Sequence, residues 1–159
     1  MIDTDLEKRF LRMKANYIEH FDTWVGEFKF SVPLTVRFSD IDLYGIVNNA
    51  VTISYLEFAR IEYFKHIGLM RDWLNPEGDK IPVVADVQCD YLKPITYNEN
   101  LEIFVKANSV GNSSADLHYM ATNENGDIVF TGRGTLVQIS RQSGKGTPWS
   151  EKEKSLFVG

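Results

Sequence analysis

"NAVTISYLEFARIEYFKHI", residues 49–67, decides how the rest of the chain is read. Val51, Ile53, Tyr55, Leu56, Phe58, Ala59, Ile61, Tyr63, Phe64 and Ile67 place apolar side chains on nearly every face of a helix. Gly68 supplies its stop. At a rise of about 1.5 Å per residue such a helix spans roughly 30 Å. A helix apolar all round is buried, so something must wrap it.

The wrapper lies downstream. "PVVADVQCDYLKP" alternates, with Val83, Ala85, Val87, Cys89 and Tyr91 on one face and Asp86, Gln88 and Asp90 on the other. "LEIFVKANSV" alternates through Leu101, Ile103, Val105 and Ala107, and "SADLHYMAT" through Ala115, Leu117, Tyr119 and Ala121. "DIVFTGRGTLVQIS" is a fourth strand with weaker phasing, and "LTVRFSD" before the helix reads as one more. The links at 95–98, 111–112 and 123–126 are short and turn-like, which implies antiparallel neighbours. The pattern predicts an α+β fold in which one twisted sheet curls around one helix.

Upstream, Thr4 and Glu7 form a capping-box pattern. Leu6, Phe10, Met13, Tyr17, Phe21, Trp24 and Phe28 then recur at helical spacing, predicting an amphipathic helix over 4–26 ended by Gly26. The tail from Ser140 is polar and Gly/Ser-rich at first and is expected to extend along the surface. The 159 residues read as a single domain: an N-terminal helical extension over 4–28, a core over 33–141 and a tail over 142–159.

Totals narrow the function classes. With 17 Lys and Arg against 22 Asp and Glu the formal net charge is −5, which argues against a general nucleic-acid partner. Cys89 is the only cysteine, so no intrachain disulfide or Cys-rich metal site is expected. No apolar run of 18 residues predicts a membrane span, and the charged N-terminus lacks the pattern of a secretory signal. The cytoplasm is the expected location.

"SDIDLYGIVNNA", residues 39–50, carries the candidate chemistry. Asp42 lies seven residues before Asn49, where the buried helix should begin. A helix start offers unpaired N–H groups and the positive end of a dipole, which can hold a carbonyl oxygen as it gains charge. A carboxylate beside it can attack that carbonyl or activate water. The plainer alternative is that Asp40 or Asp42 only makes an Asx-turn or caps the segment. Glu57 and Arg60, three apart, are expected to pair locally. Cys89 reads as a small core residue. His20, His66 and His118 lack ligand spacing, so no metal is expected, and His118 reads as exposed or interfacial. Lys93, Arg133, Arg141 and Lys145 are solvated charges or contacts for an anionic ligand.

"VRFSDIDLYGIVNNAVTISYLEFARIEYF" resembles the opening motif of hotdog-fold acyl-CoA thioesterases of the 4-hydroxybenzoyl-CoA thioesterase type. "PVVADVQCDYLKPITYNENLEI" is similar to that family's second signature, and "SVGNSSADLHYMATNENGDIVFTGRGTLVQIS" to its closing hairpin, so the resemblance covers about residues 33–141. It implies a hotdog fold, an antiparallel sheet wrapped around a long central helix, here with an extra N-terminal helix. It also implies homodimers or homotetramers with sites between subunits.

Carried over by position, the resemblance makes Asp42 the catalytic carboxylate and the backbone N–H near Asn49 the group that polarises the thioester carbonyl. Gly45 would let the loop approach closely, and Tyr44, Ile46, Val47 and Phe58 would line the acyl pocket. Many relatives carry histidine where this chain has Ile46, and others where it has Asn49, so a motif histidine plays no part here. Plant acyl-carrier-protein thioesterases share the outline but use that histidine and a second hotdog unit.

The implied activity is hydrolysis of an acyl-CoA substrate to a carboxylic acid and free CoA, with no metal or redox cofactor and no membrane partner. The alternative is a non-catalytic acyl-CoA-binding hotdog protein. A dehydratase acting on 3-hydroxyacyl thioesters is disfavoured by the missing histidine.

Overall fold

The computed structural model describes residues 5, 8 and 15–158. Along the chain the elements run α1 (Phe21–Gly26), β1 (Phe30–Thr35), a 3-10 turn (Phe38–Asp40), α2 (Asn49–Ile67), α3 (Met70–Trp73), β2 (Lys80–Tyr91), β3 (Asn100–Val110), β4 (Ser114–Thr122), β5 (Ile128–Ser140) and α4 (Glu151–Val158). The strands form one antiparallel sheet in the order β1-β3-β4-β5-β2.

Helix α2 starts where an asparagine can cap it. The Asn48 side chain accepts the Ala50 N–H at 2.9 Å. The helix ends at Gly68, whose φ of +94° is the left-handed conformation that only glycine adopts without strain. Thr52, Tyr55, Leu56, Ala59, Tyr63 and Phe64 form the buried stripe. They pack on Leu101, Ile103, Val105, Ala115, Leu117, Tyr119 and Ala121 from the inner face of the sheet. The alternation of β3 and β4 is as the sequence predicts. The expectation of all-round burial for α2 is not met within one chain, because Ile53 and Phe58 on the opposite face are 36 % and 40 % exposed.

Strand β2 departs from its predicted phase. Val84 lies opposite Leu136 but Asp86 lies opposite Thr135, so Ala85 is the extra residue of a bulge. Val87, Cys89 and Tyr91 keep one face, while ahead of the bulge Val84, and not Val83, shares it. The Asp86 carboxylate holds the bulge by accepting the Thr135 N–H at 2.9 Å and its hydroxyl at 3.1 Å.

A second apolar cluster lies on the outer face of the sheet. Ala15, Ile18 and Trp24 cover Met120 and Ile128, with Tyr17, Phe21 and Phe28 packed around them. The predicted continuous helix over 4–26 is broken here, since residues 15–20 are turns and bends. The side chains of Tyr17 and Ile18 both pack on the sheet from this irregular stretch. The capping-box pattern at Thr4 and Glu7, with Leu6, Phe10 and Met13, falls outside the described residues.

The tail also differs from its expectation. Ser150 and Glu153 form a reciprocal capping box, with Ser150 N–H donating to the Glu153 carboxylate at 2.8 Å and Glu153 N–H to the Ser150 hydroxyl at 3.1 Å. The helix they start, α4, buries Phe157 against Trp149, and Trp149 in turn lies beside Trp73. Among the described residues no helix is long and apolar enough to cross a membrane.

Candidate active site

The segment between β1 and α2 folds into a small hairpin. Ile41 bridges Val47, the Asp42 N–H donates to the Ile46 carbonyl at 2.8 Å, and the Gly45 N–H donates back to the Asp42 carbonyl at 2.9 Å. Gly45 closes the turn at φ +78°. The Asp42 Oδ1 accepts the Tyr44 N–H at 2.8 Å, an Asx-turn, so the plainer reading of this carboxylate accounts for one of its oxygens. The other has no hydrogen-bond partner among the described residues. Leu43 and Tyr44 stand out at the tip.

Asp40 has a different role. It is 3 % exposed, and its Oδ2 accepts the Tyr55 hydroxyl at 2.7 Å and the Arg37 N–H at 3.0 Å. Its Oδ1 accepts the Arg37 Nη2 at 3.1 Å. Burial acts to raise its pKa, but the bonds from Arg37 and Tyr55 together hold it below the usual carboxylate range. Its backbone carbonyl accepts the Asn48 N–H at 3.0 Å, joining the hairpin to the helix cap.

At the start of α2 the amides are not equivalent. Ala50 is capped by the Asn48 side chain, and Val51 and Thr52 donate to the Asn48 carbonyl at 2.9 and 3.3 Å. The Asn49 N–H has no partner among the described residues. The Tyr91 hydroxyl, from the end of β2, donates to the Asn49 carbonyl at 2.8 Å. Beside this helix start lies a cavity of about 260 Å³, lined by Ile46, Val47, Asn49, Thr52 and Tyr91 through Ile95.

The chain thus brings Ile46, Val47 and Asn49 to one cavity, with Asp42 and Gly45 in the turn that leads to it. It does not bring Tyr44 or Phe58 there: Tyr44 is 91 % exposed and Phe58 lies on the outward face of α2. Tyr91 and Tyr55 were not singled out by sequence reasoning as site residues. Tyr91 stands in the quoted Tyr-x-x-Pro stretch, whereas nothing in the spacing joins Tyr55 to Asp40.

Other candidates are consumed elsewhere. Burial pushes the Cys89 thiol up to about 12, which keeps it protonated in the core. His118 is not exposed: Trp24 Nε1–H donates to its Nδ1 at 2.8 Å and its Nε2 bonds Asp116 at 3.0 Å. Because an indole only donates, Nε2 carries the proton of the neutral ring. Arg133 pairs with Asp116 at 2.6 Å. Lys93 remains at the site: it lines the cavity beside α2, with Asp127 3.2 Å from its ammonium. Arg60 lies 3.9 Å from Glu57, a loose version of the expected pair, and also donates to the Tyr119 hydroxyl at 3.4 Å.

A carboxylate with a free oxygen and an unengaged helix-start amide are the two groups that acyl transfer asks of a protein. The family model described as thioesterase-like superfamily matches residues 36–156, from the end of β1 through most of α4. This chain belongs to the thioesterase-like superfamily. Within the superfamily it is 40 % identical over 138 residues to the uncharacterized protein YsmA of Bacillus subtilis, covering 87 % of this chain and 91 % of that one. It is 26 % identical over 114 residues to the acyl-acyl carrier protein thioesterase ATL3 of Arabidopsis thaliana, covering 70 % of this chain and 58 % of that one. Among solved structures it is similar to a thioesterase from Thermus thermophilus complexed with coenzyme A and Zn. That match has 35 % identity, a TM-score of 0.69, and covers 82 % of this chain and 92 % of the other. The sheet and α2 are accordingly the hotdog architecture of this superfamily.

Proposed function

We propose that this member of the superfamily is an acyl-CoA thioesterase of the 4-hydroxybenzoyl-CoA thioesterase type. The thioester carbonyl sits at the start of α2, where the Asn49 N–H receives the oxygen as it becomes an oxyanion. Asp42 either attacks the carbonyl carbon or takes a proton from the water that does. The C–S bond then breaks, CoA leaves as a thiolate that is protonated, and water supplies the hydroxyl of the released acid. Neither route draws on a metal or redox cofactor. Ile46 and Val47 contact the acyl group or the thioester arm. Tyr44 and Phe58, which point away from their own cavity, contribute across a dimer contact with a second copy.

The observation that carries this reading is the unpartnered Asn49 amide beside a cavity whose wall continues into the Asp42 turn. The test is thiol release from a panel of acetyl-, octanoyl-, palmitoyl- and benzoyl-CoA, with an octanoyl-carrier-protein arm. Wild type should turn over at least one member, and Asp42→Asn should slow that member by at least roughly 100-fold, the scale of a lost catalytic base. A second reading, a non-catalytic acyl-CoA-binding protein, is favoured by Ile46 and Asn49 standing where relatives carry histidine. Saturable binding of the same esters without turnover of any of them would establish it in place of the first.

A further inference from the structure

Asp42 and the Asn49 amide belong to two elements, a hairpin and a helix. Chemistry between them requires that their separation be held to a fraction of an ångström. Among the described residues the side-chain tie across that junction is the Tyr55 hydroxyl on Asp40, at 2.7 Å. Side chains lean toward the start of their helix, so Tyr55, six residues past Asn49, reaches back to the first turn. Asp40 then passes the constraint on in two directions. Its carbonyl holds the N–H of the capping Asn48 at 3.0 Å, and two residues along the backbone it sets the position of Asp42. Arg37 closes the unit from the solvent side, being 75 % exposed at its side chain, while Asp40 and Tyr55 are each 3 % exposed. Neither Asp40 nor Tyr55 lines the cavity.

We propose that Asp40 and Tyr55 are positioning residues of the thioesterase reaction, fixing the Asp42 turn against the first amide of α2 without touching substrate. The proposal rests on the acyl-thioesterase reading above. A buried carboxylate and hydroxyl could be replaced by apolar packing at little cost in stability, so the pair is weak evidence for stability and stronger evidence for a required geometry. Displacement by about 1 Å of a reacting group can cost about 100-fold in rate.

The experiment is Tyr55→Phe, which keeps the ring and removes the tie, assayed on the best CoA ester of the panel. The expected result is a kcat lowered 10- to 100-fold, with KM within about threefold of wild type, because binding does not run through the pair. A second readout separates positioning from fold. In an Asp42→Asn background Tyr55→Phe should cause little further loss, because the geometry it guards no longer matters. Unchanged kcat in Tyr55→Phe, or a full multiplicative loss in the double variant, overturns the proposal while leaving the role of Asp42 intact. If Asp42→Asn is as active as wild type, or wild type turns over nothing, the underlying reading fails and the proposal falls with it. Should Tyr55→Phe not fold, Arg37→Gln carries the same test from the exposed side. A kcat lowered at least threefold at steady KM supports the proposal and an unchanged kcat ends it.

Discussion

Asp42→Asn keeps an oxygen to accept the Tyr44 amide and removes only the charge, so it separates chemistry from turn formation. Its stability should stay within about 0.5 kcal/mol of wild type by urea titration while thioester hydrolysis collapses. His118 is a residue whose titration the fold should feel near neutral pH. Burial, working against the nearby Asp116, depresses its pKa in the native state, and both ring nitrogens are engaged. Between that depressed value and the ordinary value of about 6.5 the unfolded chain holds a proton that the folded one does not. Stability therefore rises with pH through this window, levels off above it, and is lost as pH falls. The urea midpoint should drop between pH 7.5 and pH 5, and His118→Asn should flatten this part of the profile. If the wild-type midpoint is the same at both values, the buried neutral imidazole is not there. Of the two expectations for His118, exposed or interfacial, the exposed one fails: the ring has the expected phase and lies buried beneath Trp24 and Tyr17. Alternation reports which face of a sheet a residue occupies, but not that Trp24, 94 positions away, comes to lie on it.

The elements differ in how much of them a local pattern contains. Strands β3 and β4 turn every second residue to the inner face, and α2 carries its own cap at Asn48 and its own stop at Gly68, so their limits stand in the sequence. The Ala85 bulge does not, because one added residue leaves both halves of β2 alternating and changes only how they join. In the candidate site Asp42, Gly45 and the start of α2 were legible from spacing and resemblance. Tyr55 was not, because its partner is set by the reach of a side chain across a tertiary contact. The tail shows a signal that was present and outvoted. Ser150 and Glu153 stand at capping-box spacing, but the Gly/Ser-rich stretch before them suggested an extended surface segment. Its burial is what keeps α4 in place. Trp149 is 4 % exposed, its Nε1–H donates to the Ser114 carbonyl at 2.9 Å, and its ring packs on Phe157. Trp149→Ala should cost about 3–5 kcal/mol in urea unfolding, the range for emptying a buried aromatic site. A loss below about 1 kcal/mol would mean that α4 is not docked on the sheet.

At the scale of the whole molecule the unmet half of α2 and the free side of β2 pose one question. Strand β2 is an edge strand of 12 residues, and Val83, Val84 and Val87 on it are 38 %, 46 % and 44 % exposed. Long apolar edges invite pairing, and natural proteins rarely leave them bare. Ile53 and Phe58 add an apolar helix face to what a partner would cover. On the outer face of the sheet, Met120 and Ile128 are already covered by Trp24, Ile18 and their neighbours. Pairing of two copies through β2 and α2 would bury both exposed surfaces and bring the outward-pointing Phe58 of one copy to the other. Sedimentation should then give at least twice the 18.2 kDa chain mass. Val84→Lys combined with Val87→Lys places a charge on each side of the bulge and should shift the protein to monomer. Neither residue lines the cavity beside α2, yet hydrolysis should fall with the dimer, because a pocket shared between copies is incomplete in one. A monomeric variant with full activity would show that each chain holds its own complete site, and Phe58 would then leave the acyl pocket.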